Sequence, residues 1–248
     1  MRWVKLTAAT VFVLTVPVFL ITSNVRWVIN APFLYSYGFN HYDIPQRTGI
    51  EMSELLSARD QILDYFDGGG DELLDVRVSV NGITRSLYNE REVLHMKDVR
   101  GLVRGVYLIH VVTAGVLGLL IVAGAVYAGR KAVPYLLKYA ALGGVLSVFL
   151  VGLVAVGSVT GFEQLFLTFH QLSFTNDLWQ LDPNSDYLLM MFPEGFFYDA
   201  TMWIAGSTVV ESIVLALMPL GLRWLMTRRR AYVEAPEGVA LPGTETNA

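Results

Sequence analysis

Residues 105–128, GVYLIHVVTAGVLGLLIVAGAVYA, and residues 136–158, LLKYAALGGVLSVFLVGLVAVGS, decide the fold of this chain. A helix needs roughly 20 mainly apolar residues to cross a hydrocarbon layer about 30 Å thick. Both stretches meet that length, and Lys138 is their only charged residue. Residues 6–24 and 201–222 follow the same pattern. Backbone groups in lipid find no water to bond, so such stretches must be helical. The expected fold is therefore a membrane all-α protein with four transmembrane helices. Composition points the same way. Over 248 residues 54% are hydrophobic and 16% charged, with mean hydropathy +0.47, whereas a soluble domain carries about 25% charged residues. An ordinary soluble enzyme and a disordered chain are both excluded. The absence of cysteine excludes disulfides, thiolate metal sites and a cysteine nucleophile. A net charge of −4 gives no electrostatic basis for binding nucleic acid.

Charge sets the orientation. Arg2 and Lys5 precede the first span, Arg130, Lys131 and Lys138 surround the turn between the second and third, and Arg223 and Arg228–Arg230 follow the fourth. Residues 159–200 contain no Lys or Arg. Cytoplasmic loops collect basic residues, so both termini are expected on the cytoplasmic side of the membrane. The long loops 25–104 and 159–200 then face outward. The first loop carries basic residues too, but long loops translocate largely regardless of charge. The first span is read as an uncleaved anchor, because no good small-residue cleavage site closely follows it. Residues 1–230 are expected to form the membrane unit. Residues 231–248 lack apolar periodicity and read as a disordered cytoplasmic tail.

The first outer loop reads as an α+β domain. Thr48-Gly49-Ile50-Glu51 has the form of a capping box. Met52, Leu55, Leu56, Ile62, Leu63 and Phe66 then recur at helical spacing up to Gly68. Val76, Val78 and Val80 alternate up to Asn81-Gly82, which predicts a β-hairpin with a type I′ turn. Asn89, with Glu92 three residues on, predicts the start of a helix running unbroken into the second span. The second outer loop carries ten aromatic residues, as a segment at headgroup level would.

Four histidines are the candidates for chemistry. His95 and His170 sit where outer segments meet the membrane, and a histidine there can act as a general base on a lipid ester. Each has a carboxylate close in sequence, Asp98 and Asp177, able to orient an imidazole if the fold brings them together. Two packed, non-catalytic histidines fit the same spacing. His110 falls within the second span and Glu211 within the fourth, as either functional groups or polar glue between helices. His41 reads as a surface turn residue. No HExxH, paired His or cysteine cluster points to a metal, and neither GxSxG nor a phosphate-binding loop is present. No cofactor is implied. With no cysteine and no serine elbow a covalent acyl-enzyme is not expected, and Ser173, near His170, is the serine that stays in consideration.

Several of these residues also carry a resemblance. The run Phe169-His170, Phe174, Asn176-Asp177, Trp179, Leu181-Asp182-Pro183, Phe192-Pro193 and Phe196-Phe197-Tyr198-Asp199 resembles the hallmark segment of a bacterial four-span membrane family. That family includes the lipoprotein intramolecular transacylase. Glu90-Arg91-Glu92, His95-Met96 and Asp98-Val99 resemble its second signature, and Asp43-Ile44-Pro45 with Thr48-Gly49-Ile50 fits its first loop. The resemblance covers nearly the whole chain up to about residue 231. It implies transfer of the sn-2 acyl chain of a diacylglyceryl lipoprotein to the α-amine of its N-terminal cysteine, giving a lyso-form lipoprotein. Its partners would be that lipoprotein and membrane lipids, and its reaction site would face outward. By motif the two important histidines fall on His95 and His170, with Asp98, Asn176, Asp177 and Trp179 in support. One histidine would take the amine proton. The other, or Asn176, would stabilise the carbonyl oxyanion or protonate the leaving oxygen. A lipid-ester hydrolase using the same histidines and a non-enzymatic membrane adaptor or sensor are the competing readings.

Overall fold

A computed structural model describes residues 2–68, 74–80 and 83–233. Four long helices, α1 (Arg2–Ile29), α5 (Glu90–Ala128), α6 (Val133–Ser173) and α8 (Glu194–Val233), make up most of the chain. Short elements fill the stretch between α1 and α5: α2 (Pro32–His41), α3 (Ile44–Thr48), α4 (Met52–Asp67), β1 (Arg77–Val80) and β2 (Ile83–Ser86). One further short helix, α7 (Tyr187–Met191), precedes α8. Among the described residues, three helical stretches are long and apolar enough to cross a membrane: Arg2–Ile29, Glu90–Ser173 and Glu194–Leu222. The second of these contains both stretches quoted above and folds back on itself. A 3-10 turn at Gly129–Ala132 separates α5 from α6. At the far end of the pair, the His95 and His170 rings meet. The two helices are therefore an antiparallel hairpin.

Helix α1 lies at the centre of the bundle. Its Phe12, Val16 and Leu20 are buried against Leu117 and Leu120 of α5, Leu136 and Tyr139 of α6, and Leu215 of α8. Two adjacent glycines let α6 come close. A Cβ on Gly143 would stand 2.6 Å from Val16 Cβ, and one on Gly144 would stand 2.8 Å from the Ser212 carbonyl oxygen. Lipid drives helices together only weakly, so close packing of small residues matters here. Asn24 adds a polar tie, donating to Glu211 Oε2 at 2.8 Å and to Thr208 Oγ1 at 3.2 Å. His110 pairs instead with Ser23 Oγ, 3.2 Å away, and stacks on Phe19. Glu211 and His110 thus have different partners.

A second core sits outside the bundle. Leu55, Ala58, Ile62, Tyr65 and Phe66 of α4 pack with Phe39, Ile44, Val76, Val78, Met191 and Phe192. Strands β1 and β2 pair antiparallel, with Val80 opposite Ile83. The helix and the hairpin lie where the spacing puts them, while the Asn81-Gly82 turn lies outside the described residues. The Thr48 capping box does not form. Pro45 opens a separate helical turn that consumes Thr48, whose hydroxyl donates to the Ile44 carbonyl and accepts from the Ile50 amide. Gly49, at φ +69°, then ends that turn, and Glu51 stands at the head of α4 without a side-chain cap. Two other limits differ from the sequence reading. Residues 159–173, expected as loop, continue α6 past a kink at Gly161. Residues 25–29 continue α1.

Candidate active site

The site is built where α5 begins and α6 ends. Asn89 caps α5 with a full capping box: its side chain accepts from the Glu92 amide, and Glu92 accepts from the Asn89 amide. Glu92 does more than cap. It is 1% exposed, and its other oxygen accepts from the Leu188 amide at 2.6 Å. Asn89 Nδ2 donates to Asp186 Oδ1 at 2.8 Å. One turn of helix therefore fixes α7 and holds the preceding loop across the first turns of α5. Burial pushes the Glu92 carboxyl above its usual range, against the backbone donors from Asn89 and Leu188 that favour its charged form.

His95 lies nearly one turn further along α5 and is 6% exposed. Its ring centroid is 6.2 Å from that of His170, near the end of α6. Phe174 closes against both, at 5.1 Å from His95 and 5.6 Å from His170. Phe166, Phe169 and Trp179 complete an aromatic wall around His170 at 4.4, 5.3 and 5.3 Å. His170 Nδ1 lies 2.8 Å from the Phe166 carbonyl oxygen. A carbonyl only accepts, so Nδ1 carries the proton and Nε2 keeps a free lone pair. His95 Nδ1 is buried without a hydrogen-bond partner. An unpaired buried N–H is rarer and costlier than an unpaired acceptor. That places the His95 proton on Nε2.

Electrostatics keep both rings neutral. Both lie outside the apolar stretches 105–128 and 136–158. Burial, and then the neighbouring His170, push His95 down to about 4, while Asp98 acts in the opposite sense. Burial also lowers His170, opposed by its bond to Phe166. At neutral pH the pair offers one bare nitrogen and one N–H.

The expected His–carboxylate pairs do not form. Asp98 Oδ2 accepts from Asn176 Nδ2 at 2.8 Å. Asp177 accepts from Gln180 Nε2 through its side chain and from Arg91 through its carbonyl oxygen. Both carboxylates therefore order the loop after α6 rather than an imidazole. A cleft of about 630 Å³ opens beside the histidines, lined by Gln171, Phe174, Asn176, Asp177, Trp179 and Gln180, among others. Of these, Phe174 and Trp179 also touch His170. The other sequence candidates stand apart. His41 is exposed at the end of α2, stacked on Tyr37. Ser173 is the last residue of α6. Among the described residues no three His, Asp or Glu side chains gather as a metal site would require. Sequence reasoning missed the reach of Glu92 to Leu188 and of Arg91 to the loop. Glu92 was readable only as a cap, because its second partner is 96 residues away.

Comparison with known proteins supports one family. The sequence model of the lipoprotein intramolecular transacylase Lit matches residues 10–197. The fold matches the in meso structure of the membrane integral lipoprotein intramolecular transacylase Lit from Bacillus cereus, with a TM-score of 0.77 at 18% identity. That match covers 93% of this chain and 100% of the other. Two structures of that protein with a histidine replaced, by arginine and by alanine, match at a TM-score of 0.72 and 18% identity. Each covers 93% of this chain, and 96% and 97% of the other chain respectively. No curated protein matches by sequence. The structural likeness speaks to the fold, and the sequence match, covering most of the chain, speaks to descent. This membrane protein belongs to the lipoprotein intramolecular transacylase family, a family of acyltransferases.

Proposed function

We propose that this protein moves the sn-2 acyl chain of a diacylglyceryl lipoprotein to the α-amine of the same molecule's N-terminal cysteine, with His95 and His170 as the catalytic pair. The observation that carries this reading is the approach of a buried imidazole, His95, to a half-buried one, His170, with ring centroids 6.2 Å apart inside an aromatic wall. In the proposed topology α1, α5, α6 and α8 each cross the bilayer once, both termini are cytoplasmic, and the histidines face outward. The antiparallel α5–α6 hairpin and the basic residues at its turn support that count.

The amine nitrogen attacks the sn-2 ester carbonyl carbon, so a C–N bond forms and, on collapse, the C–O bond to glycerol breaks. His170 Nε2 takes the proton from the nitrogen and returns it to the leaving sn-2 oxygen, which becomes a hydroxyl. His95 Nε2–H donates to the carbonyl oxygen as it gains charge. The nucleophile is a free amine with a pKa of about 8, so the base removes a proton without having to create a strong anion. Nucleophile and ester share one molecule, and holding it folded supplies much of the rate through proximity. No acyl-enzyme is required. Asp98, Asn176 and Asp177 hold the loop that carries Trp179, and Trp179 keeps His170 in place.

The test is incubation of purified full-length protein with a synthetic diacylglyceryl lipopeptide, followed by tandem mass spectrometry. An unchanged mass with one acyl group on nitrogen supports the reading. Released fatty acid would indicate hydrolysis, and an unaltered lipopeptide with folded protein would indicate an adaptor; either overturns it.

A further inference from the structure

A second cleft, of about 700 Å³, lies between the outer end of α1 and α4 and shares no lining residue with the cleft beside the histidines. Arg26 and Asn30 line one side, and Asp64 and Asp67 of α4 line the other. Trp27 and Leu63 add apolar surface. The level of the cleft is marked by Trp27, Phe33 and Trp203, which contact one another and are each about half exposed. Such rings collect at headgroup depth.

The charges in this cleft are arranged unusually. The Arg26 guanidinium lies over the Tyr107 ring, 4.7 Å from its centroid. Among the described residues it forms no ion pair, and neither do Asp64 and Asp67, although all three face one space. The N–H groups of the Asn30 amide donate to the Arg26 carbonyl and the Tyr107 hydroxyl, which leaves its Oδ1 as an acceptor. The cleft therefore has a cationic pole on its α1 side and an anionic pole on its α4 side. A purely anionic headgroup meets repulsion from two carboxylates, and a free cation meets repulsion from the arginine. A zwitterion with a phosphate and a primary amine satisfies both poles.

We propose that this cleft binds the headgroup of an aminophospholipid, with its phosphodiester on Arg26 and its ammonium on Asp64 and Asp67. Trp27, which lines the cleft, adds an aromatic surface of the kind that attracts an ammonium. A lipid held there fastens the outer domain to α1 from the side, independently of acyl transfer.

Native mass spectrometry of the full-length protein, titrated with phosphatidylethanolamine and phosphatidylglycerol of identical chains, tests this. The expected preference for phosphatidylethanolamine is about tenfold in affinity. D64N/D67N should abolish that preference, and R26Q should weaken both lipids. Equal retention of the two lipids by the unaltered protein would overturn the proposal, as would an unchanged preference in D64N/D67N or unchanged binding in R26Q. If the double variant does not fold, D67N and the wild-type comparison decide alone. A synthetic lipopeptide with an amine but no phosphate must not displace phosphatidylethanolamine; displacement would assign the cleft to the substrate and overturn the proposal. The readout is binding rather than turnover, so it stands or fails apart from the proposed reaction.

Discussion

Asn176 Nδ2 donates to Asp98 Oδ2 across 2.8 Å, joining the loop after α6 to the third turn of α5. The same Asn176 accepts from the Leu178 amide through Oδ1, which shapes the turn leading to Trp179. In the proposed reaction its part is positional, because the ring of Trp179 packs on His170. Asp98→Ala and Asn176→Ala should each slow acyl transfer by about tenfold, the scale of one hydrogen bond to a charged group. The double variant should be no slower than either single one, since the residues act as one unit. Initial rates on the synthetic lipopeptide measure this cycle, and additive losses would separate the two residues.

In the proposed reaction, removal of an imidazole acts on the chemistry itself. His170→Ala and His95→Ala should each lower turnover by about 10²–10⁴-fold, the range for a positioned acid or base. Thermal unfolding in detergent checks that the variants remain folded. If both retained full activity, the proposed roles would be wrong.

The pH dependence of stability follows from the histidines' surroundings. His95 has a folded pKa of about 4, against 6.5 for an ordinary histidine, so between those values the unfolded chain binds more protons than the folded one. Stability is then full above pH 6.5 and falls as pH drops towards 4. His170 shifts in the same direction. The raised Glu92 works in the opposite sense at the lower end, so the comparison to make is between the protein and His95→Phe. The variant's unfolding temperature should fall less between pH 6.5 and 4. Parallel curves would contradict the buried, neutral assignment.

Glu92 offers a separate test of the scaffold. Glu92→Ala strips acceptors from the Asn89 and Leu188 amides, at about 1–3 kcal/mol for each buried group left unpaired. The unfolding temperature should drop and activity should fall with it. Glu92→Gln keeps one carbonyl oxygen and should fall between the two.

Local patterns made much of this legible from sequence. The apolar stretches, the valine alternation before Asn81-Gly82 and the Asn89 cap each depend on neighbours within a few residues. Thr48 failed as a cap because Pro45 starts a competing turn immediately before it. The apolar stretch that marks the third span ends at 158, so the sequence places residues 159–173 in the loop that follows. Phe162, Phe166, Phe169 and Ser173 nevertheless keep helical spacing, and Phe162 and Phe166 stack. The two histidines could be singled out by their expected depth, but their partners could not. Asp98 bonds Asn176 and Asp177 orders its own turn because contacts across the fold, rather than distance along the chain, decide who meets whom.

Analysis of one lipoprotein's N-terminal lipopeptide tests the central claim most directly, in a bacterium that makes only diacylglyceryl lipoproteins and expresses this protein. The account predicts an unchanged total mass, with one acyl chain moved from glycerol to the cysteine nitrogen, and loss of that product with His95→Ala or His170→Ala. A lipopeptide left in its diacylglyceryl form, with the protein present and folded in the membrane, would contradict it.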